Sequence, residues 1–101
     1  MTTAVPTLDP RARSLVERAV AILREHGATE VYVYGSVTTA RWDPERSDID
    51  FAVRGLPPER YFKASGDIVR RIEREVDILD LDMPSRLATF LEEEGDLLRV
   101  G

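Results

Sequence analysis

Three stretches of the chain carry apolar residues every three to four positions, which is the spacing of an amphipathic helix. The pattern predicts helices over residues 10–26, 59–73 and 84–94. Asp9 is placed to cap the first helix, and Gly27 to end it. The side chains predicted to face the core from the second and third helices are Tyr61, Phe62, Ile68, Val69, Ile72, Leu87, Phe90 and Leu91.

Three shorter stretches, rich in β-branched and aromatic residues, predict strands over residues 30–34, 48–53 and 76–81. Together with the helices they indicate an α/β or α+β fold, in which a small mixed sheet of three to four strands is flanked by helices. Residues 1–8 are predicted to be a flexible tail and residues 9–101 a single domain. Near the end of the chain, Leu97 and Leu98 are expected to fold back onto the core.

The composition narrows the chemistry that the chain can perform. It has 101 residues, no cysteine and a net charge of −5. Without cysteine there is no disulfide framework, zinc–thiolate site or cysteine nucleophile. The acidic balance disfavours direct nucleic-acid binding, which depends on cations that neutralise phosphates. Residues 1–10 lack the basic and then apolar segments of a secretory signal, so none is expected, and no apolar run approaches the roughly 20 residues of a membrane span. We therefore expect a cytoplasmic protein.

Two aspartates in the second predicted strand project from one face of the sheet. Asp48 and Asp50 are two residues apart in sequence, which separates them by roughly 6–7 Å along a strand. Ile49 and Phe51 then point to the opposite face, into the core. Two carboxylates side by side on a half-buried strand repel each other and lose hydration. A cation such as Mg²⁺ offsets both costs, although such a pair is also found where aspartates are simply solvated.

Asp77 is the candidate for a third carboxylate at this site. It interrupts an otherwise apolar strand and shares a face with Leu79 and Leu81. Two-metal sites for phosphoryl transfer hold their ions about 3.5–4 Å apart, and a third carboxylate helps to hold them. Asp80 is a lesser candidate because it alternates onto the other face of the strand.

Gly35 and Ser36 directly follow the first predicted strand. Glycine lets the backbone turn sharply and approach a ligand closely. Free N–H groups at the start of a helical turn attract anions. The pair therefore predicts a phosphate cradle beside the carboxylates, although an ordinary turn has the same composition.

Taken together, these motifs resemble the DNA polymerase β-like nucleotidyltransferase superfamily. Gly35-Ser36, residues 47–51 (SDIDF) and residues 76–78 (VDI) follow its order of Gly-Ser, then Ser/Asp-Asp-x-Asp, then a later Asp on a strand. The length is similar to that of its minimal nucleotidyltransferases, and the resemblance implies the polymerase β-like palm fold. One departure is that residues 37–42 lack the small-Arg-Gly run that often follows Gly-Ser in the superfamily.

The resemblance implies a metal site made of the three aspartates. Asp48 and Asp50 would ligate two Mg²⁺ ions. Asp77 would complete the metal site and help to deprotonate the acceptor hydroxyl. All three are thus candidate catalytic residues.

The resemblance also implies which residues bind the nucleotide. Gly35 and Ser36 would hold the β- and γ-phosphates of ATP, and Ser47 belongs to the same nucleotide-binding set. Arg41 stands close to the position of the superfamily's arginine after Gly-Ser. It either contacts the triphosphate or is an ordinary surface cation.

Minimal nucleotidyltransferases resemble antitoxins whose partner is a helical HEPN-domain ribonuclease toxin. The resemblance implies Mg²⁺-dependent transfer of AMP from ATP to a hydroxyl, expected to be a tyrosine, of such a toxin in a type VII-like toxin–antitoxin module. A homo- or hetero-oligomer is compatible with this function. One alternative is an antitoxin that acts by binding alone. Another is transfer to a small-molecule acceptor, for which 101 residues leave no room for an acceptor-binding domain.

Further residues have two interpretations each. Trp42 either stacks on the nucleobase or a partner, or packs on the core. Arg70, Arg71 and Arg74 either complement the end of the second helix or contact a substrate or partner. His26, in the last turn of the first helix, is expected to complement the helix dipole.

Overall fold

The computed structural model describes residues 8–101 and contains three helices and four strands within that range. The helices are α1 (Pro10–Glu25), α2 (Tyr61–Ile72) and α3 (Arg86–Glu94). The strands are β1 (Glu30–Tyr34), β2 (Ile49–Arg54), β3 (Val76–Asp80) and β4 (Leu98–Arg99). Short 3₁₀ helices at Gly35–Thr38 and Pro58–Arg60 follow β1 and precede α2. The predicted order of helices and strands is confirmed, and a short fourth strand is added to it.

The strands form one mixed sheet in the order β3-β2-β1-β4. β1 pairs antiparallel with both β2 and β4, whereas β2 and β3 are parallel. A parallel pair needs a crossover connection, and α2 supplies it. The predicted small mixed sheet flanked by helices is therefore confirmed. Leu97 and Leu98 do return to the core, and Leu98 does so by pairing with Val33 of β1.

Capping residues set the helix ends. Asp9 accepts a hydrogen bond from the backbone N–H of Arg11 at 2.9 Å, as expected of an N-cap residue. The third helix starts at Arg86 rather than at the predicted Pro84, because the hydroxyl of Ser85 caps the N–H of Ala88 at 3.0 Å. Gly95 ends this helix in the left-handed conformation, with a φ of 70°.

The main hydrophobic core lies between α1, α2 and one face of the sheet. Alternate residues of β2, Ile49, Phe51 and Val53, are fully buried there, as strand geometry requires. Leu8 is also buried in this core, so the predicted tail does not extend to residue 8. The rest of the predicted tail lies outside the described residues.

A smaller core covers part of the opposite face of the sheet. Ala52 and Leu81 pack there with Ala88 of α3, and Tyr32, Tyr34, Leu79 and Leu97 contact this cluster. Because α3 is short, this face is only partly covered. Within residues 8–101, no helix is long and apolar enough to cross a membrane.

The predicted core faces of α2 and α3 are wrong in part. The exposed fractions are 93% for Phe62, 41% for Val69, 45% for Leu87 and 56% for Phe90. Helix α2 instead buries a narrow stripe at every fourth residue, and in α3 the buried residues are Ala88 and Leu91. The buried residues of the α2 stripe are Ala64, Ile68 and Ile72. The larger apolar side chains beside these buried residues lie outside the stripe that each helix packs against the core.

Candidate active site

Strand register places two aspartates and a tyrosine in a row across the sheet. Asp50 of β2 lies opposite Asp77 of β3 on one side and opposite Tyr34 of β1 on the other. Neighbouring strands are about 4.8 Å apart, so the three side chains emerge close together. They share the face of Ala52, away from α1 and α2. The structure thus brings together two of the three predicted carboxylates by backbone pairing alone.

Asp48 approaches the same site from a loop rather than from a strand. The predicted second strand starts one residue too early, because β2 begins at Ile49 and Asp48 belongs to the loop before it. Asp48 is exposed, whereas Asp50 is half-buried. The charge of Asp48 is nevertheless one of the causes that raise the pKa of Asp50, after burial and the charge of Asp77.

The negative charges converge on Asp50. Its pKa is raised above the ordinary value of 3.8, first by burial and then by the charges of Asp77 and Asp48. Burial and the charges of Asp50 and Asp77 likewise raise the pKa of Tyr34. Among residues 8–101, no salt bridge involves Asp48, Asp50 or Asp77. The site therefore concentrates negative charge that the described side chains do not neutralise.

Gly35 is required next to these carboxylates. Its φ is +78°, a left-handed conformation that side chains disfavour, and a Cβ atom there would lie 2.8 Å from Oδ2 of Asp50. The 3₁₀ helix that it begins is closed by Thr38, whose hydroxyl donates to the Gly35 carbonyl at 2.7 Å. Thr39 does the same to the Ser36 carbonyl at 2.8 Å. The predicted phosphate cradle thus adjoins Asp50.

Two of the predicted nucleotide-binding residues lie in the loop before β2. The Ser47 hydroxyl accepts a hydrogen bond from the Asp43 N–H at 3.0 Å, so it helps to shape the loop. Arg41 is exposed, and its backbone N–H donates to the hydroxyl of Thr39 at 3.1 Å. Contacts of Ser47 and Arg41 with nucleotide remain predictions.

Trp42, in the same loop, is buried in the main core, which agrees with the second of its two interpretations. Arg74 covers its indole ring, with 5.3 Å between the guanidinium carbon and the ring centroid. Sequence patterns grouped Arg74 with its neighbours and missed this contact, because the pairing of a loop with a distant arginine leaves no periodic signal. His26 is the C-cap residue of α1, and its Nε2 atom lies 2.7 Å from Oδ2 of Asp67.

The donor set fits Mg²⁺ if the substrate completes it. No group of three or more His, Cys, Asp or Glu side chains within residues 8–101 is arranged as a ready metal site. Mg²⁺, however, is usually bound by one or two carboxylates together with waters and substrate phosphates. The pair of Asp50 and Asp77, the charge of Asp48 and the raised pKa of Asp50 match that kind of site.

A groove of about 250 Å³ opens beside Asp77 at the outer edge of the sheet. Its walls come from the start of α2 and from β3: Tyr61, Phe62, Ser65, Val76, Asp77 and Ile78. Phe62 is the most exposed large apolar side chain among the described residues. Asp77 is thus one of the residues that line a largely apolar groove.

Residues 17–99 match the model of the polymerase beta nucleotidyltransferase family. The chain belongs to this family. It is a nucleotidyltransferase, and the fold and family expected from the sequence motifs are confirmed. None of the curated proteins matches the sequence.

Solved structures show the same fold for this nucleotidyltransferase. A chain of a toxin–antitoxin crystal structure with AMP-PNP has a TM-score of 0.67 and 18% identity, covering 88% of this chain and 72% of that one. A chain of the tri-AMPylated Shewanella oneidensis HEPN toxin in complex with MNT antitoxin has a TM-score of 0.63 and 18% identity, with coverage of 88% and 71%. A chain of the toxin–antitoxin MntA–HepT crystal structure has a TM-score of 0.63 and 17% identity, covering 88% of this chain and 71% of that one.

Proposed function

We propose that this nucleotidyltransferase is an antitoxin that transfers AMP from ATP, with Mg²⁺, to a tyrosine hydroxyl of a HEPN-type ribonuclease toxin. The observation that carries the proposal is the set of unneutralised carboxylates next to Gly35. A module that acted by binding alone would have no physical need for such a costly arrangement of charge.

In this proposal each aspartate has a role in holding the metal. Asp48 and Asp50 hold two Mg²⁺ ions, and Asp77 completes the set. When bound, the ions supply positive charge that stabilises the triphosphate and the charge developing during transfer. A bound cation would favour the ionised form of Asp50, since it would offset the repulsion from Asp77 and Asp48.

The chain's remaining residues bind the nucleotide and direct the transfer. Gly35 and Ser36 bind the β- and γ-phosphates. Ser47 and Arg41 bind the same triphosphate. Asp77 accepts the proton of the acceptor hydroxyl. The acceptor oxygen then forms a bond to the α-phosphorus while the bond from that phosphorus to the bridging oxygen breaks, and pyrophosphate leaves.

The groove beside Asp77 supports an aromatic acceptor. Its apolar walls suit a ring, and Asp77 is one of the residues that line it.

The structural neighbours support the choice of partner. One is described as a complex with a tri-AMPylated HEPN toxin and another as a toxin–antitoxin structure with AMP-PNP. Both share the fold of this chain. The net charge of −5 would also favour a basic, RNA-cleaving partner.

The test is to incubate the chain with a HEPN-domain protein from the same genome, Mg²⁺ and ATP labelled at the α-phosphate. We expect label on a tyrosine of the partner, located by mass spectrometry. The Asp50→Asn variant should lose transfer but still co-purify with the partner. Transfer at the wild-type rate by Asp50→Asn would contradict the metal assignment. Neutralisation of the toxin by Asp50→Asn would instead indicate an antitoxin that acts by binding.

A further inference from the structure

Arg74 lies in the connection between α2 and β3 and reaches across to the loop that leads into β2. Its guanidinium donates hydrogen bonds to the backbone carbonyls of Asp43, Pro44 and Ser47. The bond to the Asp43 carbonyl is 3.3 Å long. The same group lies over the indole ring of Trp42. One side chain thus contacts four residues of a six-residue stretch.

The stretch that Arg74 holds is already closed on itself. The N–H of Ser47 donates to the Asp43 carbonyl at 2.9 Å, and the N–H of Asp43 donates to the Ser47 hydroxyl at 3.0 Å. A side-chain oxygen of Asp43 accepts from the N–H of Glu45 at 2.9 Å. Residues 43–47, which we call the lead-in loop, therefore behave as a compact unit whose placement depends on what anchors it.

The anchoring matters because of where the two segments lead. Ser47 directly precedes Asp48, and Arg74 is three residues before Asp77. Asp50 and Asp77 are held opposite each other by the β2–β3 ladder. Asp48 lies outside that ladder, since β2 begins at Ile49. The position of Asp48 relative to the other two carboxylates consequently depends on the lead-in loop.

Arginine suits this position better than lysine does. A guanidinium has five donors in a rigid plane, so it can serve several carbonyls and lie flat on an aromatic ring at once. A lysine ammonium keeps the charge but lacks the plane and two of the donors. Replacement by lysine should therefore release part of the loop without changing the net charge.

We propose that Arg74 is a positioning residue of the nucleotidyltransferase site: it fixes the lead-in loop so that Asp48 is held beside Asp50 and Asp77. The inference rests on the metal-binding role in the proposed function. Groups that orient metal ligands typically contribute tenfold to a hundredfold to metal affinity or activity.

The test compares Arg74→Lys with Arg71→Lys in the full chain. Arg71 is a matched control, an exposed arginine near the end of α2 that pairs with Glu25 at 3.0 Å. Binding of Mn²⁺ is measured from the electron paramagnetic resonance signal of the free ion, with a non-hydrolysable ATP analogue present. We expect about tenfold weaker Mn²⁺ binding in Arg74→Lys and no change in Arg71→Lys. Fluorescence of Trp42, the single tryptophan, should shift only in Arg74→Lys.

Several results would decide the matter. Wild-type Mn²⁺ affinity in a folded Arg74→Lys would overturn the positioning role, as would the absence of Mn²⁺ binding by the wild type. If Arg74→Lys does not fold, Arg74→Gln, which retains a planar donor, takes its place. Mn²⁺ binding that depends on Arg74 in a chain that transfers no AMP would remove the proposed function but keep the positioning role. Normal transfer with Mn²⁺ binding independent of Arg74 would do the reverse.

Discussion

The two ends of strand β2 both gather carboxylates but treat them differently. At its end, Arg54 pairs with Glu92, with Asp82 at 3.6 Å and with Glu30 at 3.8 Å. At its start, Asp50 adjoins two further aspartates, and no salt bridge within residues 8–101 neutralises them.

The comparison separates a structural use of charge from a chemical one. Around Arg54 the protein supplies the cation itself, so the cluster is complete in the folded chain. Around Asp50 no described side chain neutralises the gathered negative charge. Such repulsion destabilises the fold unless a ligand supplies positive charge. Which end a carboxylate occupies should therefore decide whether its removal affects activity or stability.

The largest expected effect follows from neutralising one carboxylate at each end. Asp50→Asn should lower AMP transfer by about 10³-fold or more, because metal stabilisation of the transition state amounts to several kcal/mol. Glu92→Gln, the matched change at the Arg54 end, should leave transfer within about twofold of wild type. Initial rates with α-labelled ATP measure both. Equal losses in the two variants would mean that the two ends do not differ.

The same Asp50→Asn variant should be more stable than wild type at neutral pH. Folding raises the pKa of Asp50, so its ionisation destabilises the wild type above that pKa. The penalty disappears below the unfolded-state pKa, ordinarily 3.8. Denaturant unfolding should therefore show a stability gain at pH 7 that shrinks as the pH falls and vanishes below 3.8. A variant less stable than wild type at pH 7 would contradict the electrostatic account.

A smaller effect should come from filling the space beside Asp50. Gly35→Ala places a Cβ 2.8 Å from an Asp50 oxygen in a left-handed conformation, and should cost roughly 1–2 kcal/mol of unfolding free energy. Transfer should fall as well, because Asp50 must move. Gly66→Ala is the control: nothing lies within 4 Å of its Cβ position in α2, so it should stabilise the chain by up to about 1 kcal/mol. Effects of the same sign in both variants would exclude this explanation.

The smallest effect concerns the paired end of β2. Arg54→Met should lower the unfolding free energy by about 1 kcal/mol, since its ion pairs are partly exposed and weak. Transfer activity should persist. Because salt screens such pairs, the difference from wild type should shrink in 1 M NaCl, as thermal unfolding can show. Loss of transfer in a folded Arg54→Met would place this end within the active site after all.

Local sequence patterns predicted most of the fold, because its helices and strands depend mainly on residues that are close together in sequence. The alternation in β2 placed Ile49 and Phe51 in the core, and the structure confirms it. The predicted faces of α2 and α3 were wrong in part, because periodicity marks every apolar residue on one side of a helix, whereas the structure buries only part of that side.

For the site, the sequence predicted candidate residues for the chemistry, and their roles stay a prediction; it did not predict how these residues are held. The juxtaposition of Asp50 and Asp77 arises from a parallel register between strands 27 residues apart in sequence, which no local pattern specifies. The clearance that Gly35 gives to Asp50 and the hold of Arg74 on the lead-in loop are likewise contacts between distant segments.

The central claim is that the unneutralised end of β2 binds ATP with Mg²⁺, and thermal unfolding with and without both tests it most directly. At about 100 times the dissociation constant, ligand should add about 2.7 kcal/mol of stability to the wild type, which raises Tm on the order of 10 °C. Asp96→Asn, which changes an exposed aspartate that is not a candidate site residue, should show the same rise. Asp50→Asn should show none relative to its own ligand-free Tm. An equal rise in Asp50→Asn, or one that persists without Mg²⁺, would contradict the account.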